Sequence, residues 1–225
     1  TRWATHGKPS ERNAHPQMSG NDIALIHNGI IENFEPLRKE LIQQGYTFHS
    51  ETDTEVIAHL IHRHLSQKAD FMEAVKKTVS LLKGAYALAI IHKDYPDQLI
   101  GVRQGSPLVI GLGNGENFLS SDTLALLSVT QKFMYLEEGD FVLLTREAVS
   151  VFDASHQPVT RPEHISALAA DATKRGRYRH YMQKEIYEQK NVLADVLEGR
   201  LSKNAVIPES FGSQATSIFK DIQQI

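Results

Sequence analysis

Ile23-Ala24-Leu25-Ile26-His27 runs without a break into Asn28-Gly29 and then into Ile30-Ile31-Glu32-Asn33. The apolar run has the length of a buried strand. Asn-Gly directly behind it is a tight-turn signal, because both residues tolerate positive φ. The stretch therefore reads as a strand ending at His27, a turn at Asn28-Gly29, and a helix over Phe34–Gln44 capped by Asn33. Phe34, Leu37 and Leu41 share one face of that helix, and Gly45 stands at its expected stop.

Working outward, residues 1–22 read as loop, punctuated by Gly7, Pro9, Ser10, Asn13, Pro16, Ser19 and Gly20. Helical periodicity covers Thr54–Ser66, with Val56, Ile57, Leu60, Ile61 and Leu65 inward, and Asp70–Leu82, with Phe71, Val75, Val79 and Leu82 inward. From Gly84 the pattern changes to short apolar runs: Ala85–His92, Gln98–Arg103, Leu108–Leu112, Asn117–Ser121, Phe133–Leu136, Asp140–Thr145 and Val149–Asp153. Gly, Pro, Asp and Asn separate them, as in an antiparallel meander. Helices followed by strands predict an α+β fold with sheets covered by helices. Residues 157–178 read as a connector. A helix is expected from about Arg179 to Gly199, marked by Met182, Ile186, Leu193 and Leu197. Pro208 and Gly212 then precede a last periodic stretch at Ile218, Phe219 and Ile222.

The chain is 225 residues long, 41% hydrophobic and 23% charged, with net charge −3. Those values are ordinary for a globular protein and show no electrostatic footprint for nucleic acid. No apolar run is long enough to span a membrane as a helix, and no signal-peptide pattern opens the chain. With no cysteine, disulfides and thiolate metal sites within the chain are excluded. A cytoplasmic location fits. The start, which lacks Met and enters at once into Thr1-Arg2-Trp3-Ala4-Thr5-His6-Gly7, reads as that of a fragment.

Several residues point to chemistry on an amino acid. The Gly29 N–H and the Asn28 side-chain amide can converge as an oxyanion hole, and glycine admits close approach of a substrate carbonyl. A plain hairpin turn is the alternative. Arg2 presents a planar fork suited to an α-carboxylate. Asp53, at the entry of a helix, can take an α-ammonium group, or simply cap the helix over Glu55-Val56. Thr5 and His6 crowd the same loop as Trp3. His6 could act as a general base or as a structural hydrogen-bonder. His59 and His62, at i, i+3, could share a metal, but a solvated polar face is the preferred reading. Gly101, Gly105 and Gly111-Leu112-Gly113-Asn114-Gly115 lack the Lys-Ser/Thr of a phosphate loop and read as turns. Thr1 invites comparison with an N-terminal threonine nucleophile.

Thr1–Gly7, Asn13-Ala14-His15-Pro16, His27–Asn33 and Glu51-Thr52-Asp53-Thr54-Glu55, in this order, resemble the class II (N-terminal-nucleophile) glutamine amidotransferases. Ser106–Gly111, Ser121-Asp122 and the run His180–Gln189 are similar to the branch of that class which joins its glutaminase domain to a sugar isomerase. The resemblance implies an αββα four-layer sandwich lacking its N-terminal part over residues 1–156, a linker over 157–178, and the start of a sugar-isomerase domain over 179–225. It implies that Arg2 binds the glutamine α-carboxylate and Asp53 the α-amino group. Asn28 and Gly29 form the oxyanion hole, Thr5 and His6 line the pocket, and Trp3 gates an ammonia channel. L-Glutamine and fructose 6-phosphate are the implied substrates, in a homodimer, with no cofactor and no metal. The class nucleophile is a cysteine upstream of Arg2. Thr1 matches the threonine before the motif's arginine, so the threonine-nucleophile reading falls. Other members of the class, of phosphoribosyl amidotransferase or asparagine synthetase type, and a non-catalytic amino-acid-binding module are the remaining readings.

Overall fold

The computed structural model describes residues 6–166, 175–197, 206 and 219–220. The chain divides into two compact units, residues 1–173 and 174–225.

In the first unit, β1 (Gln17–Ser19) and β2 (Ile23–Ile31) lead to α1 (Phe34–Gln43), α2 (Thr54–Ser66) and α3 (Phe71–Val79). The strands β3 (Gly84–His92), β4 (Leu99–Gln104), β5 (Val109–Leu112), β6 (Asn117–Ser120), β7 (Lys132–Tyr135), β8 (Phe141–Leu144), β9 (Val149–Phe152), β10 (Pro158–Val159) and β11 (Glu163–Ile165) follow. They form two antiparallel sheets. Sheet A has the order β1-β2-β3-β4-β8-β9-β10, and sheet B the order β11-β7-β5-β6. The expected single meander is thus interrupted: β5, β6 and β7 leave sheet A after β4 and build the second sheet, and β8 returns beside β4.

One face of sheet A packs on the three helices. Ile23, Leu25 and Ile31 of β2 and Tyr86, Leu88 and Ile90 of β3 meet Leu41, Ile57, Ile61, Phe71 and Val75 there. Each such side chain taken out of water stabilises the fold by about 1.5–3 kcal/mol. The other face packs on sheet B, where Ala87, Val142, Leu144 and Val151 meet Ile110, Met134 and Leu136. The outer face of sheet B is covered by Leu126 and Leu127, beside the short helical turn Thr123–Ala125, over Val109 and Phe133. Within residues 6–166 the layers are therefore helix, sheet, sheet and a turn, and the fourth, helical layer of the expected sandwich is not among them.

Sheet A is wider than sheet B, and part of its second face is bare. Met18, Ile26, Ile30 and Ile91, on β1, β2 and β3, all lie exposed.

Two local expectations are corrected. Asn28 and Gly29 make no hairpin turn: β2 continues through them to Ile31, with Asn28 opposite Ala87 and Gly29 opposite Tyr86. Gly29 has φ +131, and an added Cβ would stand 2.0 Å from the Ala85 carbonyl oxygen. Gly84, on the neighbouring strand, has φ +126 and the same relation, at 2.2 Å, to the oxygen of Ile30. The positive φ that suggested a turn instead lets two strands close on each other. Second, Asn33 does not cap α1 with its side chain. Its amide donates to the Leu81 carbonyl and accepts from the Lys83 N–H, both at 2.8 Å, tying the exit of β2 to the entry of β3. The C-terminus of α1 forms as expected: the N–H groups of Gly45 and Tyr46 close back on Ile42 and Leu41.

The stretch read as a connector from residue 157 contains β10 and β11, which extend both sheets. Arg161 between them explains the ordering. It makes a two-pronged bond to the fully buried Asp140 at 2.8 and 2.9 Å, and a further contact to Glu137 at 2.8 Å. In the second unit α4 spans Tyr181–Leu197, with Met182, Ile186 and Leu193 exposed. The periodic stretch at Ile218, Phe219 and Ile222 lies outside the described residues except for Phe219. Among the described residues no helix is long and apolar enough to cross a membrane.

Candidate active site

The helix-facing side of β2 meets the N-terminus of α2. Asp53 precedes α2 and is 5% exposed, yet its carboxylate makes no capping bond to its own helix. It reaches across to β2 and accepts the main-chain N–H of Ile31 at 2.8 Å. This corrects the reading of Asp53 as a cap over Glu55-Val56. His6 Nδ1 lies 3.8 Å and His27 Nδ1 4.0 Å from the same carboxylate oxygen. His27 is also in hydrogen-bond contact with the Thr54 hydroxyl at 3.0 Å. The His6 ring rests edge-on against Phe34, 4.7 Å between centroids.

Of the residues expected at the site, the structure brings His6 and Asp53 together and puts Asn28 and Gly29 on the strand that Asp53 grips. Alternation places Asn28 with Ile26 and Ile30 on the bare face, and Gly29 with His27 and Ile31 on the helix face. Arg2, Trp3 and Thr5, like Thr1, lie outside the described residues.

The loop carrying His6 is pinned to the loop carrying Asp53. Asn13, fully buried, donates to the Lys8 carbonyl at 2.9 Å and to the Glu51 carboxylate at 3.2 Å, and accepts the Glu51 N–H at 2.9 Å. Arg12 pairs with the same carboxylate.

Behind Asp53 lies a second buried carboxylate. Glu55 accepts the N–H groups of His49 and Ser50 and the Ser50 hydroxyl at 2.7–2.8 Å. Burial pushes its pKa up. The nearby His59 ring and the bonds from the His49 and Ser50 amides and from the Ser50 hydroxyl outweigh burial and hold the pKa down at about 2. His59 stands 3.6 Å from Glu55 and takes Ser19 on its other nitrogen at 2.9 Å. It is buried and does not belong to a solvated face, and His62 bonds the Tyr46 hydroxyl at 2.9 Å. Among the described residues no cluster of His, Asp and Glu is arranged to hold a metal. Tyr86, the register partner of Gly29, is a protonated phenol at any physiological pH, since burial and the nearby Glu138 push its pKa up to about 12.

Sequence reasoning did not single out His27, Thr54, Glu55 and Asn13. One signal was available for His27: it occupies the same alternating positions as Ile23 and Leu25, so a polar group at an inward position required a partner.

The arrangement holds an anion, with imidazoles beside it, against a strand opened by a glycine. That suits capture of an ammonium group next to a carbonyl centre. The family model described as a glutamine amidotransferase domain matches residues 2–128. Two curated relatives, each named glutamine–fructose-6-phosphate aminotransferase [isomerizing], are 53% identical over the whole chain in Pseudomonas putida and in Vibrio cholerae. A third so named, from Legionella pneumophila, is 50% identical. The chain spans 37% of the length of these relatives. Among solved structures, the glutamine phosphoribosylpyrophosphate amidotransferase of B. subtilis is similar with a TM-score of 0.57 and 30% identity, covering 70% of this chain and 34% of that one. A structure described as the allosteric regulatory enzyme of purine biosynthesis is similar with a TM-score of 0.52 and 31% identity, covering 64% of this chain and 31% of that one. Because the match takes in more than half of the residues, the chain belongs to the glutamine amidotransferase domain family.

Proposed function

We propose that this chain is the glutamine-hydrolysing part of an enzyme that aminates fructose 6-phosphate to glucosamine 6-phosphate. The observation that carries the reading is the Asp53 carboxylate, withdrawn from its own helix and fixed on the Ile31 N–H beside Gly29. A buried anion kept off its helix and next to a catalytic-type strand has the charge to receive an α-ammonium group. Arg2 takes the α-carboxylate, and Thr5 and His6 line the pocket. Trp3 takes the role of gate for the released ammonia. Addition of a thiolate to the carboxamide carbon moves negative charge to its oxygen, which Asn28 and the Gly29 N–H stabilise. Collapse, with the proton lost by the thiol passed to the leaving nitrogen, releases ammonia and leaves a thioester, which water hydrolyses to glutamate and the free thiol. The thiol comes from outside these 225 residues, since the chain has no cysteine. Residues beyond the two sheets, from about 179, begin a sugar-isomerase domain. The full-length protein works as a cytoplasmic homodimer.

The acceptor is supported by the 50–53% identity that extends over the whole chain. The phosphoribosyl alternative has 30% identity and 70% coverage. The test supplies the full-length protein with glutamine and either fructose 6-phosphate or phosphoribosyl pyrophosphate. Glucosamine 6-phosphate should form with the first and no amine with the second. Glutamate release that survives alkylation of every accessible thiol would remove the thiolate step.

A further inference from the structure

An aspartate at the mouth of a helix ordinarily turns back on the first free N–H groups of that helix. Asp53 does not: its backbone is already helical (φ −66°, ψ −26°), one place past the cap, and the capping hydroxyl belongs to Thr52. The Glu55 N–H is taken by the Thr52 hydroxyl, at 3.4 Å. The Thr52 and Ser50 hydroxyls are 2.8 Å apart, and Ser50 bonds the Glu55 carboxylate at 2.7 Å. A hydroxyl has one proton to give. Ser50 gives its proton to Glu55, so the Ser50–Thr52 bond runs from Thr52. The result is a closed ring of hydrogen bonds: Glu55 N–H to Thr52, Thr52 to Ser50, Ser50 to the Glu55 carboxylate. The carboxylate also holds the N–H groups of His49 and Ser50. Ser50, Thr52 and Glu55 are each at most 3% exposed, so the ring is sealed from water.

We infer that Thr52 and Glu55 are positioning residues which cap α2 in place of Asp53 and so leave the Asp53 carboxylate free for the substrate ammonium. Neither touches the substrate. Removing the Thr52 hydroxyl leaves the Glu55 N–H open and takes away the bond that holds the first turn of α2 behind Asp53. Neutralising Glu55 weakens the grip on residues 49–50 and loosens the loop that sets where Asp53 points. The inference rests on the reading of Asp53 as the ammonium-binding group.

The test compares Thr52→Val, Glu55→Gln, Thr52→Ser and Glu55→Asp in the full-length protein. It measures inhibition of glutamine hydrolysis by L-glutamate and by glutarate, which differs from it by lacking the ammonium group. Thr52→Val and Glu55→Gln should weaken glutamate by about tenfold, equivalent to about 1.4 kcal/mol, and glutarate by less than about twofold. KM for glutamine should rise with little change in kcat. Thr52→Ser, which restores the hydroxyl, should recover most of the preference, and Glu55→Asp part of it. Equal weakening of both inhibitors, or no change in either, would overturn the inference while leaving the functional reading in place. An unsubstituted protein that releases no glutamate from glutamine would overturn that reading, and the inference with it.

Discussion

The Asp53 carboxylate and the Ile31 N–H meet at 2.8 Å across the gap between a helix start and a strand. The bond fixes the charge of Asp53 at a set distance from Gly29, two residues earlier on β2. Asp53→Asn keeps an acceptor for Ile31 and removes the charge. It should therefore leave the fold intact and weaken glutamine by about ten- to a hundredfold, the size of a lost charge-assisted bond. Titration calorimetry on a variant whose far-ultraviolet spectrum matches the unsubstituted protein checks this. Glutamine affinity unchanged in Asp53→Asn would mean the ammonium is bound elsewhere.

Gly29 and Gly84 each approach the opposite strand's carbonyl oxygen with no room for a methyl group. Alanine at either position must also hold a strained positive φ, which alone costs about 1–3 kcal/mol. Gly84→Ala should lower unfolding free energy by at least about 2 kcal/mol in denaturant titration. Because Gly84 is a structural partner and not a site residue, any loss of turnover should track the loss of folded protein.

Glu55 sets an acid limit on stability. Its ordinary carboxyl pKa near 4.5 falls to about 2 in the fold. A group whose folded pKa is lowered contributes stability above the unfolded pKa and loses it as pH falls through the folded one. The contribution, on the order of 3 kcal/mol, should be complete above about pH 5 and fade towards pH 2. Glu55→Gln should be less stable at pH 7 and show a flatter acid limb. Thermal melts of both proteins across that range distinguish this from a simple shift of the whole curve.

Arg161→Met tests the tie between β8 and the β10–β11 segment. It leaves the buried Asp140 charge held by the Glu137 N–H alone among its described bonds. Loss of one partner from such a pair costs about 3–5 kcal/mol. Asp140→Asn combined with Arg161→Met should recover part of it, and a double-mutant cycle from denaturant unfolding measures the coupling.

Much of the first unit was legible from periodicity. The helices at Phe34, Thr54 and Phe71 and the strands from Ala85 to Asp153 follow patterns that local sequence carries. What could not be read was which strands pair. Nothing in Val109–Leu112 tells that it leaves one sheet for another, because that choice is made by the far partners Phe133 and Met134. Asn28-Gly29 misled for a physical reason: positive φ serves a hairpin and a close strand approach equally well. The segment around Arg161 looked like a connector because its order comes from one buried charge pair and not from apolar residues. At the site, Asp53 and His6 were legible as residue types. The grip on Ile31 and the ring through Thr52 were not, since both depend on where α2 begins in space.

The bare strip of Met18, Ile26, Ile30 and Ile91 bears on chemistry as well as packing. Asn28 stands between Ile26 and Ile30 on that strip. Facing bulk water, its amide dipole is screened and contributes little to holding an anionic oxygen. Closed under apolar surface, the same dipole acts through a medium of far lower permittivity and its field at the oxygen grows several-fold. If Asn28 serves as the proposed oxyanion donor, the hydrophobicity of β2 on either side of it would act as insulation once that face is covered, setting how strongly one amide can act without touching the substrate.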